Sequence, residues 1–143
     1  FGFVSRMDNL QAAILNYRLS KLEKIINIRR KNAALYLNGI QRNNIYIPQE
    51  QKYEFNTYHT FVIQAERRDE IKQYLFENGI ETAIHYPIPI HLQPASDYLG
   101  YRIGNFSNVE RQAASILSIP INQYLTEKDI NLVIKIINEF YFN

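Results

Sequence analysis

Apolar residues recur at the spacing of an α-helix through about the first forty residues of the chain. The pattern begins after Asp8, which has an N-cap side chain, and runs to about Asn38, where Gly39 follows as a C-terminal stop. About thirty residues in one helix would span about 45 Å, longer than a small domain is wide. Because no glycine or proline interrupts the run, the pattern favours one continuous helix that bridges two bodies. The alternative is two ordinary helices joined by a bend.

Shorter patterns of both kinds alternate through the rest of the chain. Residues of high β propensity predict strands at 45–47, 58–64 and 80–85, and Pro120 makes a short strand at 118–121 an edge. A helix is predicted over 69–78, with Gly79 as its stop. Such a strand–helix–strand unit suggests two neighbouring parallel strands with a right-handed crossover.

Two further helices have signatures at their N-termini. Ser107 with Glu110, and Thr126 with Asp129, have the spacing of capping boxes. The last helix directs a set of branched apolar residues toward the core: Ile130, Val133, Ile134, Ile136 and Ile137. These elements predict an α+β fold, with helices on one face of a three- to four-stranded sheet over 41–143. Residues 1–40 are predicted to be an interdomain segment and a long connecting helix.

The composition excludes several functional classes. The 143 residues include no cysteine, so neither a disulfide nor a thiolate metal site can form. Sixteen basic against fourteen acidic residues give a net charge of +2, too weak to indicate nucleic acid or an anionic membrane as a partner. No apolar run approaches the roughly 20 residues that span a bilayer. The chain begins with Phe1 rather than methionine and leads almost directly into a helix, so we expect it to be part of a larger protein.

The richest candidate site is the segment 79–93, which reads G-I-E-T-A-I-H-Y-P-I-P-I-H-L-Q. Its prolines exclude a helix, so the strand before it delivers His85 and Tyr86 into a stiff, extended loop that then presents His91 and Gln93. Polar groups on a rigid, otherwise apolar loop suit a small-molecule pocket. A solvated surface connection is an equally weighted alternative.

The three histidines, His59, His85 and His91, do not predict a metal centre. No pair has the i, i+4 spacing of helical ligands, and no acidic residue adjoins His85 or His91 in sequence to orient a ring. His59, at the start of a strand, is either a hydrogen-bonded core or rim residue or converges with His85 from the adjacent strand.

The cationic residues give weaker signals. All seven lysines fall in polar stretches, so none has the apolar surroundings that a Schiff-base amine needs. The run Arg29-Arg30-Lys31 is typical of a solvated helix face. Arg6 either pairs with Asp8 or caps another helix, or it is aimed at a phosphate or carboxylate; the sequence favours neither.

Four segments, in this order, carry a family resemblance: G-F-V-S-R-M-D-N-L-Q-A-A-I-L, R-R-x-N-A-x-x-Y, Y-H-T-F and the segment 79–93. With the strand around Pro120 and the final helix, they resemble the C-terminal part of the DegT/DnrJ/StrS sugar aminotransferases. The resemblance covers essentially the whole chain. It implies the small domain of a fold-type I enzyme that depends on pyridoxal 5'-phosphate.

The resemblance implies a function for the full-length protein. Such enzymes are cytoplasmic homodimers that move an amino group, usually from glutamate, to a keto-sugar carried on a nucleotide. Their Schiff-base lysine lies upstream of the stretch present here, so no catalytic residue is expected in this chain. The alternatives are a related sugar dehydratase, with histidine in place of that lysine, and a non-catalytic interaction domain derived from the fold.

The resemblance also assigns candidate binding residues. The family's G-x-N-x-R motif reaches the partner subunit's active site; Arg6 matches its arginine, and Val4 stands where its asparagine is usual. Valine cannot donate a hydrogen bond, so Ser5 or a backbone amide would replace the contact to the cofactor phosphate. The loop with His85, Tyr86 and His91 is expected on the sugar-nucleotide side of the cleft, together with His59.

Overall fold

The computed structural model describes residues 6–41 and 43–142. The main elements, in chain order, are α1 (Asn9–Leu19), α2 (Leu22–Gly39), β1 (Ile45–Tyr46), β2 (Phe61–Ala65), α3 (Arg68–Glu77), α4 (Ser107–Ser115), β3 (Ile116–Ile119) and α5 (Glu127–Phe142). Two short 3₁₀ turns, Ile90–Leu92 and Pro94–Leu99, lie between α3 and α4. The α+β class predicted from the sequence is confirmed.

The sheet has three strands in the order β1-β2-β3, and both pairings are antiparallel. The predicted neighbouring parallel strands are therefore wrong. Segment 80–85 contributes only one antiparallel bridge, from Ala83 to Ser118, on the side of β3 away from β2. It runs parallel to β2, but β3 lies between them, because β3 takes the edge of β2 from a position far along the chain.

Strand bounds also differ from the prediction. Tyr58 has a left-handed backbone with φ of 48°, so the chain bends there and β2 begins only at Phe61. β3 ends at Ile119, immediately before Pro120, which lacks the N–H that would continue a ladder. β2 then shows the alternation expected of a strand whose odd residues face the core.

One hydrophobic core joins α2, α3 and α5 to the sheet. Its fully buried side chains are Tyr36, Ile63, Ile71, Leu75, Leu117, Ile130 and Ile137. The predicted apolar face of α5 is confirmed, since all five of its named residues are buried. α2 shares this core with the segments after residue 41. The predicted domain boundary near residue 40 stays a prediction.

The predicted continuous N-terminal helix is wrong. α1 ends at Leu19 and α2 begins at Leu22. At the break, Ser20 Oγ donates to the Tyr17 carbonyl at 2.8 Å, and the Lys21 amide bonds the Arg18 carbonyl at 3.0 Å. The last carbonyls of α1 thus bond a serine hydroxyl and an amide three residues later, and not the amides four residues later that would continue the helix. The helix ends there without glycine or proline. α1 buries none of its residues.

Helix ends were predicted with mixed success. Thr126 and Asp129 form the predicted capping box: the Thr126 amide donates to Asp129 Oδ2 at 2.8 Å, and the Asp129 amide donates to Thr126 Oγ1 at 3.3 Å. Gly79, at φ 78°, ends α3 as expected. The box at Ser107 is wrong, because Phe106 is the N-cap of α4 and its side chain makes no cap bond; only the reach-back half forms, from the Phe106 amide to Glu110 Oε1 at 3.2 Å.

Gly39 has a different role from the expected helix stop. It is the last residue of α2, and a Cβ there would lie 2.7 Å from Ile134 Cδ1 on α5. Glycine therefore permits the close approach of the two helices. Asn138 of α5 completes the junction: its Nδ2 donates to the Gly39 carbonyl at 3.0 Å and its Oδ1 accepts from the Gln41 amide at 2.9 Å.

Side chains of α2 fix the loop that follows β3. Asn32 is buried, and its Nδ2 donates to the Asn122 carbonyl at 3.0 Å. One turn later the Tyr36 hydroxyl donates to the Pro120 carbonyl at 2.8 Å. Burial raises the pKa of Tyr36 well above its ordinary value, so this hydroxyl keeps the proton that it donates.

The arginines of α2 fix the loop before β2, so the predicted solvated face is wrong for Arg29 and Arg30. Arg30 binds both carboxylate oxygens of Glu50, at 2.8 and 3.0 Å, and donates to the Asn56 carbonyl at 2.7 Å. Its guanidinium also lies 4.5 Å from the centre of the Phe55 ring. Only Lys31 of the basic run is exposed.

We expect Tyr36→Phe to lower the free energy of unfolding by about 1–2 kcal/mol, because the half-buried Pro120 carbonyl loses its donor while the ring remains. Urea denaturation measures the change. Tyr46→Phe is the matched control, since Tyr46 is 60% exposed and no described residue bonds its hydroxyl. Equal effects of the two substitutions would show that the Tyr36 hydroxyl does not hold the loop.

Candidate functional site

A groove of about 710 Å³ lies at the free side of β3. Segment 79–85 forms one wall, and the end of β3 with the start of α5 forms the other. Its polar lining groups are His59, Thr60, Glu81, Thr82, His85, Ser118 and Asp129. The structure thus brings His59 and His85 to one groove, although they come from segments that β3 separates. A volume of this size suits a small-molecule ligand.

One side of the His85 ring is hydrogen-bonded to the protein, and the residue is otherwise exposed. Its Nδ1 lies 2.9 Å from Oγ of Ser118, which is buried on β3. The Ala83–Ser118 bridge, with bonds of 3.1 and 2.7 Å, holds the backbone two residues before it. The rest of the His85 side chain is exposed to the groove. Sequence reasoning found His85 but not Ser118, because the two are 33 residues apart.

Tyr86 lies outside the lining of this groove. Its ring packs edge-to-face on His85 with 5.5 Å between ring centres, and the residue is 72% exposed. Ile88 and Ile90, which follow in the same loop, are also exposed. The loop therefore presents an apolar outer surface next to the groove, and the predicted substrate contact of Tyr86 stays a prediction.

His91 is turned into the protein. Its Nε2 lies 3.0 Å from Glu110 Oε1, and its ring packs on Phe106 at 4.8 Å. The expectation that no carboxylate orients this ring is wrong, because Glu110, nineteen residues later, does so. The structure does not bring His91 to the groove, and its binding role stays a prediction.

Glu110 organises the whole turn before α4. Its carboxylate accepts from the Gly104 amide at 2.9 Å and from the Phe106 amide at 3.2 Å, in addition to its contact with His91. The hydrogen bond from Gly104 is the largest cause that holds the pKa of Glu110 below its usual value, and those from Phe106 and His91 act in the same direction. The spacing of Glu110 from Ser107 predicted that it reaches back to the helix start, but it did not predict the contact with His91.

A second groove, of about 570 Å³, lies between α1 and α2. Leucine and isoleucine side chains form its apolar wall, and Arg29, Thr57, His59 and Gln123 form its polar end. Arg29 Nη1 donates to the carbonyls of Tyr58 at 3.2 Å and His59 at 3.0 Å. Arg29 therefore fixes the backbone that carries His59, which borders both grooves. Sequence analysis missed this role.

The predicted cofactor contacts lie at the start of the chain. Arg6 is exposed two residues before Asp8, the N-cap of α1, and forms no ion pair with Asp8 or with any other residue in the described ranges. Ser5 and Val4 lie outside the described residues. The assignment of Arg6 and Ser5 to a cofactor phosphate stays a prediction.

No lysine lines either groove, so the described lining of these two grooves offers no amine for a Schiff base. Within residues 6–41 and 43–142, no three histidine or acidic side chains come together as a metal ion would need. Over the same residues, no helix combines the length and apolar character of a membrane span.

Comparison with known proteins identifies the class. Residues 1–138 match the DegT/DnrJ/EryC1/StrS aminotransferase family. The chain belongs to this family, which confirms the resemblance inferred from its motifs.

Individual relatives are longer than this chain. It is 36% identical over 143 residues to a "pleiotropic regulatory protein" of Geobacillus stearothermophilus, with 98% of this chain and 38% of the relative covered. It is 34% identical to a dTDP-3-amino-3,6-dideoxy-alpha-D-galactopyranose transaminase of Aneurinibacillus thermoaerophilus, with 97% and 38% covered. The crystal structure of Streptomyces venezuelae DesV in complex with a ketimine intermediate superposes with a TM-score of 0.93 at 34% identity, covering 99% of this chain and 38% of that one. The chain thus spans under two fifths of the length of these relatives.

The lowered pKa of Glu110 predicts how acid affects stability. The native pKa lies below the ordinary 4.5, so Glu110 stabilises the fold above pH 4.5 and loses this contribution as the pH falls through its native pKa. We expect Glu110→Gln to make the melting temperature less dependent on pH below about 4.5 than in the wild type. Melting curves between pH 3 and 7 measure this.

Glu23→Gln is the control for this experiment. It removes an exposed carboxylate that has no hydrogen-bond partner among the described residues. The wild-type pH dependence should persist in this variant. The same flattening in both variants would mean that general charge, and not the Glu110 contacts, causes the acid sensitivity.

Proposed function

We propose that this chain is the C-terminal part of a sugar aminotransferase that moves an amino group from an amino acid, with glutamate as the expected donor, to a nucleotide-linked keto-sugar. One observation carries the proposal: the family match over residues 1–138 coincides with a TM-score of 0.93, at 34% identity, to a structure described with a ketimine intermediate. The transaminase of A. thermoaerophilus, named for a dTDP-sugar, supports the substrate class.

The proposed cofactor is pyridoxal 5'-phosphate, which carries the amino group between donor and acceptor when it is bound. The residues described here fit one wall of such a site and not the whole of it, because no lysine lines the grooves. Arg6 would offer its guanidinium fork to a phosphate. His85 and His59 would orient the sugar portion, and the exposed apolar loop after Tyr86 would exclude water. Tyr86 and His91 remain proposed substrate-side residues of that loop.

The proposed assembly is a cytoplasmic homodimer in which Arg6, with Ser5, reaches the active site of the partner subunit. The boundary near residue 40 is proposed as the junction between the connecting segment and the small domain. The exposed apolar residues of α1, among them Leu10 at 73% and Tyr17 at 70%, are consistent with contacts made outside this chain.

A regulatory role is the second candidate, and one observation favours it. The relative with 36% identity is named a pleiotropic regulatory protein. The deciding experiment incubates the full-length protein with glutamate and a panel of dTDP- and UDP-linked keto-sugars and follows the products by mass spectrometry. A sugar that gains an amine supports the aminotransferase, and one that loses a hydroxyl instead identifies a dehydratase. No turnover and no cofactor absorbance would favour the regulatory role.

We predict that the 143-residue chain alone has no transaminase activity, because neither the groove beside β3 nor the groove between α1 and α2 has a lysine in its described lining. The same assay with the purified chain measures this, beside the full-length protein as the positive control. Turnover of glutamate and a keto-sugar nucleotide by the chain alone would refute the assignment of the reactive amine to another part of the protein.

In the full-length protein, we expect Arg6→Ala to weaken cofactor or substrate binding about tenfold or more, as loss of a charged hydrogen bond does. The fold should stay intact, because Arg6 makes no described contact. Cofactor titration and steady-state kinetics measure the effect. Arg111→Ala removes another exposed arginine, bonded only to Asn108 on α4, and is the matched control. Unchanged kinetics together with unchanged melting would overturn the assignment of Arg6.

A further inference from the structure

The hydroxyl of the buried residue Ser118 faces the imidazole of His85 in the groove beside β3. Ser118 is only 7% exposed, because it lies on β3 between Val62 of β2 and Ala83 of the edge segment. Its backbone N–H and carbonyl are both bonded to Ala83. Its side chain therefore has a fixed position, with Oγ 2.9 Å from His85 Nδ1.

The hydrogen-bond inventory of this pair decides which nitrogen of His85 carries the proton. A serine hydroxyl has one hydrogen to donate, and His85 Nδ1 is the one partner of Ser118 Oγ among the described residues. If Nδ1 carried the proton, it would donate to Oγ, and the hydroxyl hydrogen would have no acceptor among the described residues. If Nδ1 is bare, the hydroxyl donates to it and the pair is satisfied. The second arrangement has the lower energy.

We propose that Ser118 is a positioning residue that holds neutral His85 in the tautomer with its proton on Nε2. In this tautomer, Nε2, which no described residue bonds, is an N–H donor available to a ligand in the groove that His85 lines. The matching ligand group is an acceptor oxygen, such as a hydroxyl, carbonyl or phosphate oxygen. A protonated Nε2 has no free lone pair, so it can neither bind a metal ion nor accept a proton from a ligand.

The groove is consistent with an oxygen-rich ligand. Thr60 and Thr82 add hydroxyl groups, and Asp129 adds a carboxylate to the lining around His85. Hydrogen bonds from Thr126 hold the pKa of Asp129 below its ordinary value, so it remains an acceptor at neutral pH. Assigning the ligand as the keto-sugar rests on the proposed function. The tautomer of His85 does not.

The test is a long-range ¹H–¹⁵N correlation spectrum of the ¹⁵N-labelled chain at a pH of about 8.5, two units above the ordinary imidazole pKa. We expect His85 Nδ1 to resonate as an unprotonated nitrogen and Nε2 as a protonated one. His59 is the internal reference, because it is exposed and no described residue bonds its ring. The tautomer ratio of His85 should exceed that of His59 by about fivefold, as one neutral hydrogen bond would produce.

Two isosteric variants isolate the hydroxyl. Ser118→Thr keeps it and Ser118→Val replaces it with a methyl group, while both are β-branched and favoured in a strand. We expect Thr to keep the wild-type ratio and Val to lose the roughly fivefold bias. Ser115→Ala, which removes a hydroxyl bonded only within α4, should change nothing.

The outcomes separate this inference from the proposed function. A wild-type His85 with its proton on Nδ1 overturns the proposal without any substitution, and so does an equal ratio in the Thr and Val variants. In the full-length protein, Ser118→Val should raise KM for the keto-sugar nucleotide several-fold while Ser118→Thr should not. If no keto-sugar is turned over but the tautomer bias holds, the proposed function fails and the role of Ser118 stands.

Discussion

Helix α2 has polar side chains on the face that enters the core, and hydrogen bonds to two loops satisfy most of their donors. Asn32 and Tyr36 donate to backbone carbonyls in the loop after β3, and Arg29 Nη1 donates to those of Tyr58 and His59 before β2, while the buried Arg29 Nε has no partner among the described residues. Helix α2 thereby fixes both the loop before β2 and the loop after β3. These intramolecular hydrogen bonds account for the polar residues of the R-R-x-N-A-x-x-Y motif.

These contacts also position the residues that line the groove. Arg29 bonds the backbone carbonyl of His59, and His85 bonds Ser118, whose strand β3 pairs with β2 on one side and with Ala83 on the other. Contacts within the fold therefore hold the His85 ring and the backbone of His59. Such preorganisation lowers the cost of binding, because the protein groups are already ordered before a ligand arrives. His91 serves this scaffold differently, by joining Glu110 in the turn before α4.

Local signals predicted local structure. The capping box of Thr126 and Asp129, the stop at Gly79 and the apolar face of α5 each depend on residues within one or two helical turns. Sequence reasoning failed where the partner is distant: segment 80–85 lost its place beside β2 to a strand that comes later in the chain. The pairs His85–Ser118 and His91–Glu110 were hidden for the same reason. The break at Ser20 is a local feature that the absence of glycine and proline concealed.

Helix α1 connects the order of the N-terminal segment to the candidate phosphate contact. A helix of eleven residues is marginal by itself in water, and α1 buries none of its side chains. A surface that covered Leu10, Ile14 and Tyr17 would remove apolar area from water and stabilise the helical state. Arg6 lies two residues before the N-cap, so the same event would fix the direction in which its guanidinium points. Ordering of α1 and placement of Arg6 are therefore coupled, and the proposed phosphate contact of Arg6 would depend on how well α1 is covered.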